Sequence, residues 1–224
     1  MAYQIARSYR ISMTNRAINL WKTPILGSLV FACWKFDAAR KLRWIEQWVS
    51  YYGSHVEIGS GPGSVLEVMR KNNYAVDGLD IRDTSYREDL QPVLYDGKVM
   101  PFCKHAYDTA LLPTMLHHTS DPESIIAEAM RVAKRVIIIE DVYEGRLMEW
   151  LTKRLDSLMN LEFKGHPHSN RTHQEWIATF ERLGLAVRYK AVHRLGGIFK
   201  QAVYVLEVQN ADTEQVLPSK VQAA

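Results

Sequence analysis

The chain has little of what holds a secreted or membrane-spanning protein together. Its 224 residues include two cysteines, Cys33 and Cys103, which stand 70 positions apart and are too few for a disulfide framework. A reduced, intracellular protein is therefore expected. No apolar run reaches the ~20 residues that a bilayer span needs. The nearest, ILGSLVFACWKF from Ile25 to Phe36, is too short and too interrupted. The first basic cluster is followed by polar Ser8, Ser12, Thr14 and Asn15 rather than by an apolar core. A secretory signal is thus not expected, and a cytoplasmic location is. Internal repeats and low-complexity segments are also missing.

The net charge of +3 is small but unevenly placed. Residues 1–50 hold eight Lys and Arg against Asp37 and Glu46, a balance of +6, together with four of the six tryptophans: Trp21, Trp34, Trp44 and Trp48. Basic residues interleaved with aromatics suit nucleic acid, peripheral contact with an anionic membrane, or a helical cap whose apolar face packs on the domain. The cap is the favoured of the three. This segment reads as helical with a break near Thr23-Pro24 and Gly27, then a second helix from Ala38 to Tyr51 carrying Leu42, Trp44, Ile45 and Trp48 at helical spacing.

From residue 51 the chain alternates strand and helix, the pattern of an α/β domain with a mostly parallel sheet covered on both faces. Strands are expected at Val56–Ile58, Ala75–Leu79, Val93–Tyr95, Thr109–Leu112 and Arg135–Glu140, with a helix over about 64–72. Ser120-Asp121-Pro122-Glu123 is a strong helix start, offering a side-chain cap, a first-turn proline and acids at the positive end of the dipole. Beyond the fifth strand, Leu147, Trp150, Leu151, Leu155, Leu158 and Met159 give an amphipathic helix, and a polar loop follows over 164–171. Thr172 and Glu175 form a capping box, with Gly184 as the residue that closes that helix. Two strand-like runs around Gly196-Gly197 read as a hairpin on the sheet edge, and residues 210–224 as a flexible tail.

The most informative stretch is Val56 to Asp80, VEIGSGPGSVLEVMRKNNYAVDGLD. It reads as strand, glycine turn, helix and strand, so a ligand can approach the backbone closely at a helix N-terminus. A dinucleotide fingerprint requires G-x-G-x-x-G/A, yet Ser64 stands where the third glycine should fall and Gly63 comes one place early. A nicotinamide oxidoreductase is thereby disfavoured. A carboxylate accepts both hydroxyl protons of a ribose, and Asp80, 21 positions after Gly59, is placed to do so.

Glu57, Gly59, Gly61 and Gly63 resemble the acidic residue and x-G-x-G-x-G of the class I S-adenosylmethionine-dependent methyltransferases. LYDGKVMPF and RVIIIEDVYE also match that family's pattern, YDTALLPTMLHHTSDPES is similar to its small-molecule, ubiquinone/menaquinone-biosynthesis type, and NRTHQEWIATFERLGL resembles a helix of the same broad group. The resemblance covers about Val56 to Val142. It implies a Rossmann-like, doubly wound, mostly parallel seven-stranded sheet with an antiparallel edge strand and an N-terminal helical lid. It divides the chain into a cap over 1–50, a cofactor-binding domain over 51–209 with an inserted lid at 143–172, and the tail. The implied cofactor is S-adenosylmethionine, leaving as S-adenosylhomocysteine. Glu57, Gly59, Ser60, Gly61 and Gly63 would meet its methionine part, Asp80 with Ile81 its ribose, and Asp96 with Gly97 its adenine.

In open α/β sheets, ligands bind beyond the carboxyl ends of the strands. That rule adds Pro113 and Thr114, taken as cofactor-binding residues, and the Glu140-Asp141 pair to the same rim. Methyl transfer needs an in-line acceptor held close to the methyl carbon. A hydroxyl acceptor must also lose a proton, for which a histidine is suited. His118 is the favoured base, with His117 and Asp141 as the other catalytic candidates. Adjacent residues on a helical turn point ~100° apart, so only one of the two histidines is expected to face the acceptor. His166, His168, Trp21 and Trp150 are candidates for contact with the acceptor. No metal is expected, because Pro167 interrupts the His166–His168 pair and nothing nearby completes a ligand set.

The expected reaction is methyl transfer to oxygen or carbon of a small aromatic or lipid-like acceptor. A noncatalytic binding or scaffold module on the same fold remains an alternative. A nucleic-acid methyltransferase is another, disfavoured because Leu112-Pro113-Thr114-Met115 stands where an N/D-P-P-Y/F segment would be. The sequence leaves the oligomeric state open.

Overall fold

The computed structural model describes residues 24–143, 171–195 and 199–208. Its elements run α1 (Pro24–Ile45), β1 (Ser54–Ile58), α2 (Ser64–Lys71), β2 (Ala75–Asp80), β3 (Val93–Leu94), β4 (Tyr107–Pro113), α3 (Pro122–Val132), β5 (Ala133–Val142), α4 (His173–Arg182), β6 (Leu185–Leu195) and β7 (Phe199–Val208). Short 3₁₀ turns occupy Glu46–Trp48, Glu88–Leu90 and Leu116–His118. The seven strands form one sheet in the order β3-β2-β1-β4-β5-β7-β6. β7 runs antiparallel to both its neighbours, and the other ladders are parallel. The reversed strand thus lies one place in from the edge, which β6 occupies.

The central strands are apolar on both faces because helices cover both. On one face Leu111, Ile137, Ile139, Val203 and Val205 pack under α1 and α2, with Phe31, Leu42, Leu66 and Met69. On the other, Val56, Ile58, Leu112, Ile138 and Tyr204 pack under α3 and α4, with Ile126, Trp176 and Phe180. The helix starts follow the local chemistry. Asp121 caps α3 by accepting from Ser124 N–H, with Pro122 in its first turn. Thr172 and Glu175 complete a reciprocal capping box on α4, and Gly184 follows its end at φ +67°.

The N-terminal expectation needs correction. Instead of a break near Gly27 and a separate helix from Ala38 to Tyr51, one helix runs unbroken from Pro24 to Ile45. A glycine inside a helix costs about 1 kcal/mol against alanine, and Gly27 is buried, so packing offsets that weakness. Phe31 is part of the core and Trp34 packs against it. α1 therefore covers the sheet as an integral layer of the domain. Among the described residues no helix is long and apolar enough to cross a membrane. The expected amphipathic helix at 147–159, its polar loop, Gly196-Gly197 and the tail lie outside the described residues.

Candidate functional site

At the end of β1 the chain turns sharply and is tied to β2. The N–H groups of Gly59 and Ser60 both donate to Leu79 O, at 2.8 and 3.3 Å. Asp80 holds the next step of the turn, since its Oδ2 accepts from Gly61 N–H at 2.8 Å and its Oδ1 from Arg82 N–H at 3.1 Å. Gly63 caps α2 in the left-handed region at φ +84°, and a Cβ there would fall 2.7 Å from the Cβ of Leu90. Gly61 is the contrasting case: it also has positive φ, +50°, yet nothing lies within 4 Å of where its Cβ would be. The turn thus leaves an open face at its apex. α2 receives no side-chain cap, so its first N–H groups are available to a ligand.

Below the turn, polarity is buried without full satisfaction. Glu57 and Ser60 are 2% and 3% exposed. Neither Glu57 Oε2 nor Ser60 Oγ has a hydrogen-bond partner among the described residues. Burial holds the Glu57 carboxyl well above the usual range, and neighbouring Asp80 adds to the rise; Lys41, a backbone bond at Leu66 and Arg70 oppose it. Asp96 lies just past β3, beside the end of β2, where Tyr95 N–H donates to Asp80 O at 3.1 Å. Its Oδ1 accepts from Lys98 and Val99 N–H at 2.9 and 3.1 Å, and these backbone bonds lower its pKa. Ile81 is exposed and lies beside Gly97, where a Cβ would fall 3.2 Å from its Cγ2. An apolar plate and a carboxylate therefore flank one loop, a combination suited to a heteroaromatic ring.

The neighbouring strand ends, of β4 and β5, are built by longer-range bonds. Beyond Pro113, Thr114 adopts φ +51° and its N–H donates to Ile139 O at 2.6 Å. Glu140 Oε1 accepts from Leu116 N–H at 2.7 Å, and its Oε2 lies 2.7 Å from His117 Nδ1. Both His117 and Glu140 are only 1% exposed. His118 is half-buried, and its ring lies 4.1 Å from that of His117. Asp141 accepts from Gln201 Nε2 at 2.8 Å. Burial raises its pKa, against the attraction of His117, the Gln201 bond and Lys41.

Lys41 was not anticipated as part of this rim. It is 7% exposed and reaches from α1 to donate to Thr114 Oγ1 at 2.9 Å, while pairing with Asp37 at 2.8 Å. Its spacing four residues from Asp37 looks in sequence like an ordinary surface pair, and only the packing of α1 on the sheet carries it to the strand ends. Gln201 likewise has no local signal, being recruited from β7 by pairing with β5. The structure thus brings together Glu57, Gly59, Ser60, Gly61, Gly63, Asp80, Ile81, Asp96, Gly97, Pro113, Thr114, His117, His118 and Asp141 on the carboxyl ends of the parallel strands and the turns that follow them. Trp21, Trp150, His166 and His168 lie outside the described residues. Among the described residues no cluster of three or more acidic, histidine or cysteine side chains forms a metal site.

Comparison with known proteins agrees with this geometry. Residues 56–137 match the family model described as a methyltransferase domain. A Thermotoga maritima S-adenosylmethionine-dependent methyltransferase superimposes with a TM-score of 0.60 at 15% identity, covering 83% of this chain and 97% of that one. Magnesium protoporphyrin IX methyltransferase of Synechocystis, solved with S-adenosylhomocysteine, gives 0.57 at 13% identity over 88% and 90%. A geranyl diphosphate methyltransferase in complex with S-adenosylmethionine gives 0.57 at 11% over 75% and 84%. At these identities the likeness is one of fold. No curated protein matches the chain.

Proposed function

We propose, on the premise that residues 56–137 carry a methyltransferase domain within a class I fold, that this protein moves a methyl group from S-adenosylmethionine to oxygen or carbon of a small aromatic or lipid-like acceptor. The observation that carries the reading is the turn itself. Its apex is open at Gly61, a carboxylate stands at the end of β2, and Glu57 Oε2 and Ser60 Oγ lie buried and unpartnered beside it. These groups fit an adenosine-bearing amino acid. Bound S-adenosylmethionine would supply an electrophilic methyl carbon on a sulfonium.

The chain's own residues then have separable tasks. Asp80 has lone pairs left after its bonds to Gly61 and Arg82, enough to accept from ribose hydroxyls. Asp96 and Ile81 flank the base. Pro113 and Thr114 border the cofactor, and the Leu116–His118 turn faces the acceptor, with His118, the more exposed of the two histidines, taking the proton of a hydroxyl. Glu140 fixes the His117 ring and the turn that bears both. We assign the activity to the cytoplasm.

The test is incubation with methyl-labelled S-adenosylmethionine and a cell extract. Label entering the small-molecule fraction, and lost with Gly61→Val, is the expected result. Label in RNA or DNA would reassign the acceptor, and cofactor binding without any transfer would make the protein a binding module.

A further inference from the structure

Among the groups left unexplained by this reading, Lys41 carries most. A lysine side chain that is 7% exposed has been taken out of water at considerable cost. Its ammonium has three donors. One goes to Thr114 Oγ1 at 2.9 Å and one to Asp37 Oδ2 at 2.8 Å. The third meets no acceptor among the described residues. Asp37 does not neutralise it alone, because the same carboxylate also pairs with Arg40, leaving the trio with a net charge of +1. Its other acidic neighbours, Glu57 and Asp141, are groups whose burial disfavours ionisation. A buried cation with too little negative charge around it thus bonds Thr114 and lies near enough to Glu57, at the base of the glycine turn, to act on its carboxyl. The small cavity beneath α1, about 10 Å³ and lined by Lys41, Leu42, Ile45, Met69 and Ile139 among others, takes at most one water, which would accept a bond but cancel no charge.

We infer, given the cofactor assigned to the turn, that Lys41 is a binding residue for the carboxylate of its amino-acid end, so that α1 closes the donor site from above and completes it. A carboxylate supplies the missing acceptor and cancels the excess charge in one contact. The methionine end is the part of the cofactor that Glu57 and the x-G-x-G-x-G turn are assigned to hold, and Lys41 neighbours Glu57 as well as bonding Thr114. Charge-assisted bonds in such surroundings are worth about 1.5–3 kcal/mol, which is roughly ten- to a hundredfold in affinity.

The experiment is calorimetric titration of the wild type and Lys41→Met with S-adenosylmethionine and with its decarboxylated form. The wild type should bind the carboxylate-bearing ligand at least about tenfold more tightly. In Lys41→Met that preference should collapse to near unity, with affinity for the decarboxylated form almost unchanged. Lys41→Gln, which keeps a donor for Thr114 but removes the charge, should behave in the same way and stands in if the methionine variant does not fold. A wild type without preference overturns the assignment, as does a variant that keeps the preference or loses both ligands equally. Failure of the wild type to bind either ligand would instead sink the cofactor reading beneath it.

Discussion

The two halves of the rim are made differently. At the ends of β1 and β2 the site is largely backbone: a glycine turn, the uncapped start of α2 and one carboxylate that braces Gly61 from 19 residues away. At the ends of β4 and β5 it is side chains held by distant partners, with Glu140 reaching back 24 residues to Leu116 N–H and Gln201 reaching back 60 to Asp141. The first half presents donors and open space to whatever the turn accepts, so its chemistry is fixed by a short stretch of chain. The second half buries its polar groups and spends them on one another. It can therefore be retuned for different acceptors by changing the partners while the donor half stays intact.

The largest effect that would break this contrast is on stability. Glu140→Ala removes the carboxylate bonded to Leu116 N–H and the His117 ring, in a site where His117 and Glu140 are each 1% exposed. A buried hydrogen bond to a charged group is worth about 1.5–3 kcal/mol, so the midpoint of urea unfolding should fall clearly, and cofactor affinity in the folded fraction should change little. A variant as stable as the wild type would show that the acceptor half is not built on buried polar pairs. Asp80→Ala should do the reverse. Its carboxylate is partly exposed, so stability should move little, while binding of S-adenosylmethionine in calorimetry should fall by roughly ten- to a hundredfold through loss of charge-assisted bonds.

This same contrast explains what the sequence reveals. The turn, Asp80 and the alternating strands are legible because each is encoded by consecutive residues whose spacing has one good structural solution. The capping box of α4 is legible for the same reason. Lys41 and Gln201 are not, because a surface-looking i,i+4 pair and a strand glutamine acquire their roles only through packing and sheet order. The unbroken run of α1 through Gly27 was hidden too, since tertiary burial overrides a weak local preference.

Glu57 offers a test in which pH separates the two halves. In the unfolded chain its carboxyl ionises near the ordinary value of 4.5, while in the folded protein burial keeps it protonated to well above that. Above pH 4.5 the folded state therefore binds more protons than the unfolded one, and stability falls as pH rises until the folded group also ionises. Glu57→Gln removes that difference. Its unfolding free energy should be flatter than that of the wild type above pH 4.5, the gap widening toward neutrality in a series of denaturant titrations. Parallel curves for the two proteins would mean that Glu57 is ionised in the fold and that the donor half stores a charge there.

The smallest effect concerns Asp96, whose two oxygens divide the roles that the two halves keep apart. Oδ1 is committed to the Lys98 and Val99 N–H groups and so serves the loop, as side chains serve the acceptor half. Oδ2 has no hydrogen-bond partner among the described residues and faces the ligand role assigned to the donor half. Asp96→Asn keeps an acceptor for the loop and exchanges a charged acceptor for an amide. Binding of S-adenosylhomocysteine should weaken by only a few-fold, because Asp96 is exposed and water competes for the bond. The informative comparison is with the inosine analogue, which lacks the exocyclic amino group. The wild type should prefer the adenine ligand by that same few-fold margin, and Asp96→Asn should bind both alike. If the variant still discriminates, the aspartate serves the loop alone and the base is read by some other group.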